Sequence, residues 1–252
     1  MNRIYILLGL LFLSCICQGQ NASTYFDDLG NKMLSKNASQ ALDLFNQSLD
    51  LNPYNPDAWV HRGDTLRALK QLNLSIESIN QALKIDNKNA AAWSALDKSY
   101  AARKDYASAS SAATKVTQLD PKNKASWLRE GQLLQMQGLF NQSLPKLDQA
   151  IALDTKYKDA LYWKGIYLIA IGQNSQAIEQ FDQIIELDPN YKLAYNARGL
   201  AYEAEGDYAK ALSSYERALV IDPKYTQAMN NKMHALIALG KPKDAADMFL
   251  KI

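Results

Sequence analysis

Along this chain, apolar and small residues recur three and four positions apart, the spacing that places them on one side of a helix. In the stretch 195–223 the first such set is Tyr195, Gly199 and Tyr202, and the second is Ala211, Tyr215, Ala218 and Leu219. Gly206 lies between them and marks a helix end, because glycine readily takes the left-handed conformation that closes a C-terminus. Asp207 follows and can accept hydrogen bonds from the free N–H groups of the next helix. The pattern predicts two helices and a tight turn. Neither helix can hide its stripe alone, so the hairpin needs another stacked on it.

Such neighbours recur every 34 residues. Gly63, Gly131, Gly165 and Gly199 share one register, with Asp97 and Met233 where Gly is missing, and Gly138, Gly172, Gly206 and Gly240 share the turn position. Trp59, Trp93, Trp127 and Tyr195 stand four residues before the small position, Ala82, Ala150 and Ala218 share a place in the second helix, and Asp-Pro closes units at Asp120, Asp188 and Asp222. A residue without a long side chain lets two backbones approach, the large aromatic fills space between hairpins, and proline stops the second helix.

This arrangement resembles the tetratricopeptide repeat, whose signature is an aromatic residue, a Gly four on, a later Ala and Phe or Tyr, and a final Pro. The units run 22–55, 56–89, 90–123, 124–157, 158–191 and 192–225, with a shortened copy at 226–252. The resemblance implies an all-α fold, a right-handed solenoid of stacked antiparallel helix pairs forming one domain over residues 22–252. Two units depart from the pattern: 90–123 has Asp97 for Gly and Ala113 for the bulky residue of its second helix, and Pro145 in 124–157 predicts a local bend.

The first twenty residues, MNRIYILLGLLFLSCICQGQ, have a basic start at Arg3, an apolar run from Ile4 to Leu13, and small and polar residues after it, the layout of a secretory signal. That run spans ~15 Å as a helix against the ~30 Å core of a bilayer. Export with cleavage is the expectation; a retained anchor reaching through Cys17, or lipidation of Cys15, are its alternatives. Both cysteines lie in this leader, so a chain cut after them has no disulfide and is held by packing. Formal charge is +2, and removing Arg3 leaves 27 basic against 26 acidic residues, a balance that attracts neither nucleic acid nor an anionic membrane.

Five Asn-X-Ser triplets begin at Asn21, Asn37, Asn46, Asn73 and Asn141, and an exported chain could carry glycans there. Asn73 and Asn141 share a repeat slot at the start of a second helix, where capping is the ordinary role of asparagine. Asn21 and Asn37 are the better acceptors.

Little in the sequence invites catalysis. His61 and His234 are the only histidines, on first helices of different units, and read as helix-surface residues without Cys or acids to complete a metal site. Asp120, Asp154, Asp188 and Asp222 recur every 34 residues at helix ends and read as turn residues. The expectation is a non-enzyme without cofactor or metal.

Function is then sought in what varies between units. In the family this chain resembles, first helices line a concave groove that holds a peptide or partner helix, and the matching slots are the second, fifth, ninth and twelfth of each unit. In the early units these are polar: Asp57, Val60, Asp64 and Arg67, then Ala91, Ser94, Lys98 and Ala101. They become Asp159, Tyr162, Ile166 and Ile169, then Leu193, Asn196, Leu200 and Glu203, then Gln227, Asn230, His234 and Ile237. Apolar residues here predict a binding patch for a protein or peptide, with Asn196 and Asn230 free to bond an extended backbone. Filling of the groove by Tyr162, Ile166 and Leu200 is the competing expectation. The reading is an exported protein-binding scaffold, with a self-assembling surface component or a regulatory subunit of a cell-surface enzyme as rivals. Met248 and Leu250 near the C-terminus lack a packing role in the repeat and predict a weak homodimer through the last unit.

Overall fold

The structure, a computed structural model, describes residues 21–249. The leader with Cys15 and Cys17 lies outside the described residues, as do Leu250, Lys251, Ile252 and the side chains of Met248 and Phe249, so the leader and C-terminal dimer readings fall outside it.

Fourteen α-helices and no strand occur among the described residues. They are α1 (Ala22–Met33), α2 (Ala38–Leu51), α3 (Pro56–Ala68), α4 (Leu72–Ile85), α5 (Ala90–Ala102), α6 (Tyr106–Leu119), α7 (Lys124–Met136), α8 (Phe140–Leu153), α9 (Lys158–Ala170), α10 (Asn174–Leu187), α11 (Lys192–Ala204), α12 (Tyr208–Ile221), α13 (Thr226–Ala238) and α14 (Pro242–Phe249). The described residues form two compact units that divide between Pro121 and Lys122. In the first, α1 to α6 make three hairpins that pack in sequence; in the second, α7 to α14 make four. Each unit is a solenoid of helix pairs in which consecutive helices touch and first helices touch first helices.

The hairpins close where a first-helix glycine meets a large second-helix side chain. A Cβ on Gly63 would lie 2.5 Å from Ile79, on Gly131 2.8 Å from Leu147, on Gly165 2.5 Å from Phe181, and on Gly199 2.3 Å from Tyr215. No carbon fits at those distances, so the backbones meet only because the side chain is absent. In the third hairpin the sizes are exchanged, with Asp97 buried in the small slot and Ala113 in the large one. Pro145 sits inside α8 without ending it; it is exposed, so the missing N–H leaves its acceptor on the wet side.

Turns between paired helices need a left-handed residue. Gly138, Gly172, Gly206 and Gly240 supply it at φ 72 to 82°, but the same slot in the second and third hairpins holds Lys70 at φ 61° and Lys104 at φ 63°. A side chain there costs ~1–2 kcal/mol, part of which glycine returns in chain entropy.

First helices begin in two ways. Asn55, Asn89 and Asn123 cap α3, α5 and α7 through Oδ1, as with Ala92 N–H to Asn89 at 2.9 Å. Tyr157, Tyr191 and Tyr225 precede α9, α11 and α13 and give no side-chain cap. At those junctions a lysine 33 residues earlier lies over the tyrosine ring, at 4.7, 5.6 and 5.1 Å for Lys124, Lys158 and Lys192. The same lysines pair with Asp154, Asp188 and Asp222, the last two at 2.5 Å. These hydrogen bonds, more than any other influence, hold the three carboxyls below the usual range. The recurring aspartates are turn residues, as expected: Asp120, Asp154, Asp188 and Asp222 each follow a second helix, and the Oδ1 of the last three accepts the N–H two residues on.

The asparagine triplets differ from expectation. Asn21 and Asn37 are the caps, accepting from Ser23 N–H and Gln40 N–H at 3.1 Å. Asn73 and Asn141 are the second residues of α4 and α8, whose starts have no side-chain cap, because the left-handed residue at 70 or 138 returns the chain to a helix too soon for them to serve. Asn46 accepts from Arg62 at 2.8 Å and Asn73 from Arg103 at 3.2 Å. Ser23, Ser48, Ser75 and Ser143 are buried, so only Asn37-Ala-Ser39 exposes both the amide and the hydroxyl of its triplet.

His61 is also more than a surface residue. It is half-buried, and its Nδ1 meets Asp27, itself 8% exposed, at 2.9 Å across α1 and α3. Burial is the largest influence on the imidazole and would lower its pKa; the hydrogen bond and charge of Asp27, helped by Asp57 and Asp64, outweigh it and raise the value. A raised histidine stabilises the fold fully below its unfolded pKa of about 6.5 and loses that contribution as pH rises through its folded value.

Two outcomes follow in urea unfolding. Lys70→Gly and Lys104→Gly each raise stability by about 0.5 kcal/mol, whereas Gly172→Ala lowers it by about 1 kcal/mol; a loss on either lysine change would show that the left-handed slot carries no strain. Asp27→Asn costs more stability at pH 6 than at pH 8, and an equal cost at both would mean that His61 is uncharged throughout.

Candidate functional site

The residues expected to bind lie on α9, α11 and α13 of the second unit, three first helices of which α11 touches the other two. Beneath α9 and α11 is the core around Phe181, with Leu161, Tyr167, Leu168, Ile184, Ala194 and Ala197. Tyr162, Ile166 and Ile169 are half-buried and pack against this core, so each gives one side to the fold and keeps the other open. Leu193 is half-buried, Leu200 is 36% exposed, and Ile237, one repeat beyond Glu203, is 58% exposed.

Tyr162 leans furthest into the packing. Its ring lies 6.0 Å from Trp163, 6.1 Å from Phe181 and 6.2 Å from Tyr191, and burial pushes its phenol up to about 12. The fifth slot is largely a packing position in this chain: Val60, Leu128 and Asn196 are all buried there. Asn196, expected to be free for a ligand, is 5% exposed, and its Oδ1 accepts from Asn231 Nδ2 at 2.9 Å. The reason is geometric, since the fifth residue faces the neighbouring first helix. Asn231, one position past the expected slot, is the partner that sequence reasoning missed. Asn230 at the end of the row is exposed.

Two polar groups of this face, Asp159 and Glu203, are acidic. Asp159 is exposed and accepts from Tyr191 Oη at 2.6 Å, and this hydrogen bond, after burial, is the next cause of the raised Tyr191 phenol. Glu203 Oε2 accepts from the buried Tyr215 at 2.8 Å, while its Oε1 is hydrogen-bonded to exposed His234. Tyr215 is thus both the bulky residue opposite Gly199 and the anchor of Glu203, a link that its spacing did not reveal. Burial and the Glu203 bond raise its phenol above the usual range. In the first unit the same slots remain polar, with Asp64 paired to Arg67 at 2.8 Å and Lys98 exposed.

Other clefts have packing origins. One of about 560 Å³ is lined by Pro53, Trp59, Gln81 and Ile85, and its copy 34 residues on, of about 270 Å³, by Asn87, Trp93, Lys115 and Leu119. Both surround an indole that donates to the preceding turn, Trp59 to Pro53 O at 2.8 Å and Trp93 to Asn87 O at 2.9 Å. Among the described residues no three His, Cys, Asp or Glu side chains are placed to hold a metal ion, and no helix is long and apolar enough to cross a membrane.

Comparison with known proteins agrees with this architecture. One tetratricopeptide repeat model matches residues 164–226 and a second matches 32–98 and 202–252. With seven hairpins in that register, the chain belongs to the tetratricopeptide repeat family. No curated protein matches it in sequence. Among solved structures it is similar to a tetratricopeptide repeat protein from Parabacteroides merdae, with a TM-score of 0.79 and 16% identity over 91% of each chain. It is also similar to YrrB, a TPR protein with an unusual peptide-binding site, with a TM-score of 0.60 and 22% identity over 75% of this chain and 97% of that one. MamA has a TM-score of 0.60 and 27% identity over 68% of this chain and 94% of its own.

The half-buried and exposed members of the face separate in a stability measurement. Tyr162→Ala, which removes a ring from the packing, costs roughly 3 kcal/mol, and Leu200→Ala costs under about 1 kcal/mol. Equal losses would place Leu200 in the core as well.

Proposed function

We propose that this chain is an exported, non-enzymatic scaffold that holds a peptide or a partner helix against the first helices of its second unit. The observation that carries the reading is the row of Ile166, Ile169, Leu200 and Ile237, which keeps apolar surface open where the interior of each hairpin is already filled. A self-contained repeat has no need of that surface, and apolar area grouped in this way is the usual mark of an interaction site. The likeness to YrrB, described by its peptide-binding site, supports the class of ligand. Export rests on the basic, apolar and polar order of residues 1–20.

Two measurements test the two parts. The purified chain, applied to an array of immobilised random peptides, should retain a subset of them, and Leu200→Asp with Ile237→Asp should lose that subset while the melting temperature changes by only a few degrees. Unchanged retention by the double variant would remove the face from the function. N-terminal sequencing of the protein recovered from its native cells should begin beyond the apolar run; an intact Met1 on a soluble cytoplasmic protein would overturn export.

A further inference from the structure

Charge on the second unit is sorted by face. Six cations of its first helices are committed elsewhere: Lys124, Lys158 and Lys192 to Asp154, Asp188 and Asp222 at the turns, and Lys164, Arg198 and Lys232 to Asp148, Asp182 and Glu216 on the preceding second helices, at 2.8, 2.5 and 2.9 Å. The latter three share the seventh slot of their units, so the arrangement is built into the repeat. Along the second, fifth, ninth and twelfth slots from α7 to α13 there is no Lys or Arg, while Asp159 and Glu203 are both there.

Neither acid is neutralised by a Lys or Arg. Asp159 has the Tyr191 hydroxyl, and Glu203 has the Tyr215 hydroxyl and the exposed imidazole of His234. Two carboxylates therefore stand among Tyr162, Ile166, Leu200 and Ile237, on a surface whose aliphatic neighbours reduce competition from water. An acidic ligand would meet like charge there, and a neutral one would desolvate both carboxylates without return.

We propose that the segment held on this face is cationic and apolar, a peptide whose Lys or Arg residues meet Glu203 and Asp159 while aliphatic residues between them cover Ile166 and Leu200. This rests on the scaffold reading above and specifies its partner. The acids occupy opposite ends of the face, the second and twelfth slots, about ten helical residues or ~15 Å apart along the axis. An extended chain covers that distance in about five residues, which sets the separation of the two basic positions.

Selection of a random peptide library on the full chain tests this. Enriched peptides should carry basic residues about five apart with aliphatic residues between. In a synthetic copy, Lys→Glu should weaken binding at least tenfold, and Glu203→Gln with Asp159→Asn in the protein should weaken the unaltered peptide by about tenfold. Glutamine can still accept from Tyr215, so the variant tests charge with the fold preserved, and its far-ultraviolet spectrum checks that. Enrichment of acidic or uncharged peptides that Leu200→Asp with Ile237→Asp abolishes would overturn the cationic partner and leave the scaffold standing. Basic peptides that bind the Glu203→Gln, Asp159→Asn variant undiminished would overturn it too. Absence of any enrichment would overturn both readings.

Discussion

The rest of this structure depends on how closely two helices of a hairpin approach. At Gly63, Gly131, Gly165 and Gly199 the space for a Cβ is already taken by Ile79, Leu147, Phe181 or Tyr215. That contact fixes the separation of the paired backbones and with it the length of turn that can join them. Once the turn is fixed, the second helix can end only where the next first helix must start, and the 34-residue period follows. Asp97 opposite Ala113 shows that the constraint concerns summed volume as much as glycine itself, since exchanging large and small keeps the hairpin closed.

Much of this was legible in the sequence because it repeats. Glycines and aromatics in phase over several copies gave the hairpins, their turns and their order, and the aspartates at helix ends were recognisable as turn residues by their period alone. What the sequence could not show were contacts made by residues outside the repeat signature. Lys70 and Lys104 hold a left-handed conformation that composition would assign to glycine. His61 looked like a surface residue because its partner Asp27 lies one full repeat earlier, a distance that only the stacking of α1 on α3 closes.

The candidate face was legible at the level of position and less so at the level of exposure. Counting slots located Ile166, Ile169, Leu200 and Ile237 correctly on neighbouring first helices, but it treated the fifth slot like the others. The burial of Asn196 and Val60 shows that this slot spends most of its surface on the adjacent helix, so amides there bond within the fold, as Asn196 does with Asn231. The acidic character of the face was hidden for a related reason. Lysines and arginines are present on the same helices, and only the folded chain shows that they turn toward the turns and the second helices.

The two ways of starting a first helix have a consequence for how the molecule comes apart. The Oδ1 of an asparagine cap is satisfied within three residues of itself, and the longer reach of the caps at α3 and α5 is a 3.4 Å bond from Asn89 Nδ2 to Asp57, so α3 and α5 can form or fray with less reference to what lies beyond them. A lysine at the head of α9 or α11 is poorly placed against its own helix dipole, and is held by an aspartate and a tyrosine from the far end of its hairpin. That tyrosine is also the residue from which the next first helix begins. Opening one hairpin in this part of the chain therefore releases the start of its neighbour, which strengthens the nearest-neighbour coupling of a one-dimensional array. Partial unfolding should be graded near the asparagine caps and abrupt among the clasped hairpins, so the face that carries the apolar row is presented by a segment that is either wholly assembled or wholly lost.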